Sequence, residues 1–258
     1  MRLMKRILSA AAVLALSASL LVGCSSGTAS SVPVSASSAA ESTVSSVEET
    51  ASSAVDENEA AAAQLLNDLT GSYQELWPVI LADEYKQTWL DDCTALVGED
   101  NAEAAFKKLS SMVTGDVYGE DAVKAYANGG GAYFCGFTNS LATLTFDGET
   151  STISGTDKDG NVLFSHTYHY IGMEPVHGLY EFESDDADSG EFTYFFLAPD
   201  TSAETYHIEF RYGSDAEALS QYDAGEYAYW VASGISTDCD QTMIDNCIEL
   251  FCTENLAG

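Results

Sequence analysis

The sequence predicts a mainly β domain, either an up-and-down antiparallel barrel or a β-sandwich, flanked by helices at both ends. From residue 132 to 212, Tyr, Phe, Thr and Val dominate, and turn residues recur roughly every 8–12 positions. Asp-Gly and Ser-Gly pairs separate the apolar runs, as hairpin turns do. A closed barrel would remove the exposed edges of such a series. The predicted strands are Ala132–Phe137, Leu141–Phe146, Thr150–Gly155, Val162–Tyr170, Leu179–Ser184, Glu191–Leu197 and Thr205–Tyr212.

Helical signals lie on both sides of the strands. Ser72-x-x-Glu75 and Ser214-x-x-Glu217 have the form of capping boxes, and Thr237 is a further candidate cap. Apolar residues at helical spacing follow each signal, and the last helix buries Ile244, Cys247, Ile248 and Phe251. The predicted helices are Tyr73–Leu81 with a kink at Pro78, a stripe from Ala105 to Met112, Asp121–Ala127, Ser214–Gln221, Glu226–Ser233 and the stretch after Thr237.

The N-terminus has the layout of a secretory signal peptide. Arg2, Lys5 and Arg6 precede an apolar run that ends at Val22. The run closes with Leu21-Val22-Gly23-Cys24, which resembles the lipobox of bacterial lipoproteins. The resemblance implies cleavage before Cys24, a diacylglyceryl anchor on that cysteine, and residence on the outer face of the bacterial cytoplasmic membrane.

The signal peptide, residues 1–23, is followed by a low-complexity stretch rich in Ser and Ala. A segment of this composition buries too little apolar surface to offset its ordering entropy, so we expect residues 24–62 to be a disordered tether. Residues 63–258 then form one domain. No later stretch reaches the roughly 18 apolar residues that a spanning helix needs. The lipid on Cys24 is therefore the expected membrane contact.

The chain is strongly acidic, with 9 Lys+Arg against 41 Asp+Glu and a formal net charge of −32. Such a surface repels nucleic acid and anionic lipid and concentrates cations. Beyond Cys24, five cysteines remain: Cys93, Cys135, Cys239, Cys247 and Cys252. Cys247 and Cys252 suit neither zinc-finger spacing nor a Cys-x-x-Cys pair. We interpret them as core residues, with a disulfide as the alternative.

Motifs of catalysis are absent from the sequence. It contains no Gly-rich phosphate loop, no Gly-x-Ser-x-Gly elbow and no His-Glu-x-x-His, so an enzyme is not expected. Of the four histidines, His166 and His169 point to opposite faces of one predicted strand. His207 and Glu209 share a face, because residues i and i+2 of a strand do. Both point into the barrel or both point out.

Four segments carry a resemblance to a known family. They are Gly71-Ser-Tyr-Gln-Glu-Leu-Trp-Pro-Val-Ile80, Gly178-Leu-Tyr-Glu-Phe-Glu183, Gly190-Glu-Phe-Thr-Tyr194 and Tyr206-His-Ile-Glu-Phe-Arg-Tyr-Gly213. In this order they resemble the ZinT/YodA family of zinc-binding, calycin-like proteins, which also forms the C-terminal domain of AdcA-type zinc-receptor lipoproteins. The resemblance covers most of residues 65–255 and implies a calycin (lipocalin-like) up-and-down antiparallel barrel.

The family binds zinc through three histidines, a lone one and a His-x-His, and this chain departs from that set. The His-x-His falls on His207-Ile208-Glu209 or on Thr205-Tyr206-His207, and the lone histidine falls near Asp200 or on Phe195. The resemblance therefore implies a site of His207, Glu209 and Asp200 with water, and His177 as a fourth contributor if the barrel brings it near. Zinc accepts such a mixture, calcium or manganese suits its oxygens, or the site is lost.

Two functions follow. The first is a surface-anchored protein that binds a divalent metal, zinc above all, and passes it to a metal ABC transporter or its receptor. This hypothesis expects the His207 ring to face the lumen. The second is a metal-free calycin-type module that binds a small ligand or a partner, since barrel interiors hold small apolar ligands. Aromatic side chains filling the lumen would favour the second.

Overall fold

The computed structural model describes residues 57–111, 113, 134–198 and 207–256. Its centre is a closed antiparallel barrel in which the strands follow one another in chain order. The strands are Gly71–Glu75 (β1), Thr143–Asp147 (β2), Thr152–Thr156 (β3), Val162–Met173 (β4), Tyr180–Ser184 (β5), Tyr194–Leu197 (β6), His207–Gly213 (β7) and Ala232–Ser236 (β8). The predicted up-and-down antiparallel barrel with flanking helices is confirmed, and the sandwich alternative is wrong.

The first and last strands close the barrel. Tyr73 in β1 pairs with Leu144 of β2 on one side and with Ser236 of β8 on the other. The sequence predicts helix in the segments that form β1 and β8, and these two predictions are wrong. Ser72 and Glu75 do not form a capping box, because the Oγ of Ser72 bonds to Thr145 across the sheet at 2.8 Å.

Glu75 has a different role from the predicted one. Its carboxylate accepts a hydrogen bond of 2.5 Å from the backbone N–H of Phe137. The helix begins only at Leu76, so Pro78 lies in its first turn, where proline is tolerated. At the other end of the chain, residues 226–229 form turns, Trp230 forms a bridge, and β8 follows with every residue from Ala232 to Ile235 buried.

The helices lie outside the barrel. They are residues 57–68 (α1), Leu76–Ile80 (α2), Lys86–Val97 (α3), Glu99–Ser111 (α4), Ala216–Leu219 (α5) and Gln241–Leu256 (α6), with 3₁₀ turns at Asp83–Tyr85 and Gly190–Phe192. Asp215 and Asp240, rather than Ser214 and Thr237, supply the side-chain caps of α5 and α6. Phe251 of α6 packs edge-on against Trp77 and Trp89, which joins α2, α3 and α6 in one aromatic cluster.

The first folded helix and the segment before β2 differ from the boundaries that the sequence predicts. Helix α1 covers residues 57–68 and buries Leu65 and Leu66, so the folded part begins before the expected boundary at residue 63. Of the predicted strand Ala132–Phe137, residues 134–137 are described, and their pairing is a single bridge between Phe134 and Trp230. The predicted helix Asp121–Ala127 lies outside the described residues. Within the described ranges, no helix has the length and apolar character of a membrane span.

Candidate functional site on the outer wall

The lumen of the barrel is filled with side chains. Phe195 of β6 pairs with Tyr212 of β7, and the rings of Phe195, Phe210 and Tyr212 stack with centroids 5.4–6.4 Å apart. Strands β2 to β5 add further side chains that are almost fully buried: Leu144, Phe146, Ile153, Phe164, Tyr168 and Phe182. Aromatic packing of this kind leaves the lumen to serve as the hydrophobic core.

His207 and Glu209 lie on the other face of β7. Ile208, Phe210 and Tyr212 point inward, so the alternation of the strand turns His207, Glu209 and Arg211 outward, toward the side on which α2 and α6 pack. The expectation that the His207 ring faces the lumen is wrong. The prediction that His207 and Glu209 share one face is confirmed, because both side chains border the same cavity.

That cavity is small and mostly apolar. Its volume is about 20 Å³, room for one water molecule, and it lies between β7, α2 and α6. His207 and Glu209 border it together with Cys247 and five larger side chains: Leu76, Trp77, Ile80, Leu250 and Phe251. The wall therefore carries one imidazole, one carboxylate and one thiol. Burial raises the pKa of the Cys247 thiol to about 12, so it is protonated at neutral pH.

Glu209 is a buried carboxylate, only 8 % exposed. Burial raises the pKa of the Cys135 thiol, and the charge of Glu209 raises it further. The pKa of the Tyr222 phenol is also raised, first by burial and in smaller part by Glu174 and Glu209, against the lowering influence of Arg211. The charge of Glu209 therefore raises the pKa of both the Cys135 thiol and the Tyr222 phenol, so these groups belong to one buried electrostatic network.

Arg211 is the cation of this network and is fully buried. Its guanidinium donates hydrogen bonds to the carbonyl oxygens of Leu219, Gln221 and Tyr227. The ring of Tyr222 covers it, with the guanidinium carbon 4.1 Å from the ring centre. Arg211 therefore holds the segment after α5 against the barrel. Arg211 was not among the residues predicted for the site, although its position four residues after His207 places it on the same face of the strand.

His177 lies one layer further out. Its ring packs on Tyr222 with centroids 3.6 Å apart and the ring planes inclined by 36°, and its Nδ1 is 3.1 Å from Oε2 of Glu174. Neither Glu174 nor Tyr222 borders the cavity of His207. The structure therefore places His177 in the network around Arg211 and not beside His207.

The two remaining histidines belong to a separate part of the wall. His166 pairs across the sheet with buried Ile153, whereas His169 pairs with Glu183 and is exposed. Nδ1 of His166 is 2.7 Å from Asp186, and Nδ1 of His169 is 2.7 Å from Asp185. Their predicted placement on opposite faces of β4 is confirmed.

The donors fit zinc in kind, since it binds imidazole, carboxylate and thiolate. In number they fall short: within the part of the chain that the structure describes, no three His, Cys, Asp or Glu side chains are grouped closely enough to hold an ion. Asp200, the third ligand that the sequence predicts, lies outside the described residues, as does Cys24, the predicted site of acylation.

Comparisons with known proteins give similar structures but no family. Neither a protein-family model nor a curated protein matches this chain. It is similar to the Zn(II)-bound ZinT-like domain of AdcA from Streptococcus pneumoniae, with 15 % identity, a TM-score of 0.44, and coverage of 70 % of this chain and 87 % of that one. It is also similar to Zn(II)-bound AdcA from the same organism, with 13 % identity, a TM-score of 0.41, and coverage of 71 % and 34 %. The barrel assignment rests on the strand pairing of this chain itself.

Proposed function

We propose that this chain is a lipid-anchored, extracytoplasmic protein that binds a divalent metal ion, zinc in the first place, on the outer wall of its barrel. The His207 ring faces away from the lumen, against the expectation from the sequence, so the proposed site moves to the outer wall. The observation that carries the proposal is that His207 and Glu209, on one face of β7, border the same cavity there. The role is binding and delivery, to a metal transporter or its receptor, and not catalysis.

Asp200 completes the proposed ligand set. It precedes His207 by seven positions and supplies a carboxylate. A nitrogen and two oxygens, with water in the fourth position, form a set that zinc accepts. The net charge of −32 supports the proposal in a second way, because an acidic surface raises the local concentration of cations.

The test is a zinc titration of the unlipidated chain from residue 25, after bound metal has been removed with a chelator. Binding is measured by calorimetry at about 0.15 M salt, because salt screens the acidic surface. We expect about one ion per chain, and His207→Ala should weaken binding at least about tenfold, because it removes a ligand. His169→Ala is the matched control, since His169 is exposed on β4 and paired with Asp185.

Two results would reject the metal proposal. One is the absence of saturable zinc uptake by the native chain. The other is an affinity of the His207→Ala chain equal to that of the His169→Ala chain, because uptake would then be a property of the acidic surface alone.

The second candidate function is a metal-free interaction module. The packed lumen and the largely apolar lining of the cavity favour it, because hydrocarbon around His207 and Glu209 disfavours a charged ion. A partner would then bind outside the barrel, since Phe195, Phe210 and Tyr212 occupy the interior. A folded chain that shows no saturable metal uptake is the outcome expected from this candidate.

A further inference from the structure

Two buried thiols lie next to each other where helix α3 packs against helix α6. Cys93 lies on α3 and Cys252 on α6, and the surroundings leave both side chains fully buried. Their Sγ atoms are 3.9 Å apart. We propose that Cys93 and Cys252 are oxidised to a disulfide that links α3 to α6 in the mature protein.

The contact between the two sulfur atoms supports this pairing. A disulfide requires two cysteines whose side chains point at each other across a short distance, and the sequence separation of the partners does not matter. Cys93 and Cys252 are 159 positions apart in the chain, so their meeting is a property of the fold and not of local sequence.

The reaction needs an oxidant, which we name as a disulfide-bearing compound or protein of the extracytoplasmic space. One cysteine attacks that disulfide as its thiolate, forms a mixed disulfide and releases one thiol. The second cysteine then attacks the mixed disulfide, forms the Cys93–Cys252 bond and releases the second thiol. Two thiols of the protein are oxidised and one external disulfide is reduced to two thiols.

The inference rests on the export that the proposed function includes, because disulfides persist outside the cytoplasm and are reduced within it. The geometry itself is independent of metal binding, since neither Cys93 nor Cys252 borders the cavity of His207. The two proposals can therefore fail separately.

Burial determines when the bond forms. Both thiols are inaccessible in the folded chain, and burial raises the pKa of each, which lowers the fraction of reactive thiolate. We therefore expect oxidation to occur while the chain folds. Once α3 and α6 are packed, reduced native protein should react slowly with external disulfides.

The experiment is a refolding of the reduced, denatured chain from residue 25 in a mixture of reduced and oxidised glutathione. The product is alkylated under denaturing conditions, digested without reductant and analysed by mass spectrometry. We expect a cross-linked peptide pair containing Cys93 and Cys252. Before alkylation, the intact mass of the refolded chain should be about 2 Da lower than that of the reduced chain, because two hydrogen atoms are lost. Three alkylated thiols should remain, on Cys135, Cys239 and Cys247.

A matched variant sharpens the result. Cys252→Ala should remove the cross-link, whereas Cys239→Ser, at a half-buried position, should retain it. Peptide mapping of the native chain needs no variant and so remains decisive if Cys252→Ala fails to fold. A bond between any other cysteines, or five alkylated thiols in a correctly refolded native chain, would overturn the proposal. The same mapping on protein isolated from the cell envelope tests the bond in the mature chain, and five free thiols there would overturn the proposal even if the bond forms on refolding. Export is tested separately by fractionation, and a chain that is missing from the envelope fraction would reject the export while the refolding result stands.

Discussion

The two faces of strand β7 differ in chemistry and in role. The inward face, with Ile208, Phe210 and Tyr212, is hydrocarbon and aromatic and fills the lumen. The outward face, with His207, Glu209 and Arg211, carries an imidazole, a carboxylate and a guanidinium, and helices and loops cover it. In this barrel the interior is the structural core, and the buried polar chemistry lies on the outside of the wall.

Burial therefore affects the stability of this fold in two opposite ways. Burial of Phe210 stabilises the protein directly, by removing apolar surface from water. Burial of Arg211 and Glu209 costs solvation free energy, so these groups persist only because their partners are placed around them. Substitutions on the inner face should therefore change stability by packing, and those on the outer face by unbalancing charges and hydrogen bonds.

Phe210→Ala should produce the largest effect. It removes a ring that stacks on both Phe195 and Tyr212 and leaves a cavity in the lumen. We expect a loss of about 4 kcal/mol in the free energy of unfolding, measured by urea denaturation. Phe210→Leu, which retains most of the volume, should lose about 1 kcal/mol. Equal losses in the two variants would show that the lumen is not closely packed.

Arg211→Met should be nearly as damaging, for a different reason. It removes the donor to the carbonyl oxygens of Leu219, Gln221 and Tyr227. It also removes the positive charge from a buried group in which Arg211 and Glu209 both act on Tyr222. We expect a loss of about 3 kcal/mol in the free energy of unfolding. Hydrogen exchange should show early opening of residues 219–227. A uniform loss of protection across the barrel would instead place Arg211 in the global core.

Glu174→Gln should have the smallest effect, and its effect should depend on pH. Although burial alone would raise the pKa of Glu174, hydrogen bonds from the His177 side chain and from the backbone N–H groups of His177 and Val176 lower it below the ordinary value. A carboxylate with a lowered folded-state pKa adds stability above its unfolded pKa, about 4.3, and that stability is lost as the pH falls through the folded pKa.

The Gln variant lacks that titration. We therefore expect it to be less stable than the native chain by about 1 kcal/mol at pH 7, with the difference shrinking below about pH 4. Urea denaturation at both pH values measures it. A difference that grows as the pH falls would show that the folded state holds Glu174 in its protonated form.

The sequence was sufficient for most of the strands. Alternation and turn pairs located β2 to β7 well, because each of these strands has one face against the aromatic lumen. The sequence failed at β1 and β8. Ser72-x-x-Glu75 satisfies the capping-box pattern, and Glu226–Ser233 is short and mixed in composition. Both segments become strands through pairing with each other, a contact over a separation of 163 residues between Tyr73 and Ser236.

The site was less predictable than the fold. The period of a strand placed His207 and Glu209 together but could not say which face they share, since both faces of β7 are buried. His177 joins Tyr222 and Glu174 because a turn after β4 meets the segment after α5, and no spacing in the sequence reports that meeting. The pairing of Cys93 with Cys252 depends on the same kind of tertiary packing.

Closure of the barrel by β1 and β8 has a consequence for how the chain folds. The strand that begins the cylinder finds its second neighbour only when Ala232–Ser236 is present. Pairings between residues so far apart in the chain give a high contact order. Folding is slow because the entropy cost of closing a long loop comes before the stabilising contact forms. Until Ala232–Ser236 has been synthesised, the growing chain keeps the unpaired edges of β1 and β7, and unpaired strand edges are sites at which chains associate wrongly.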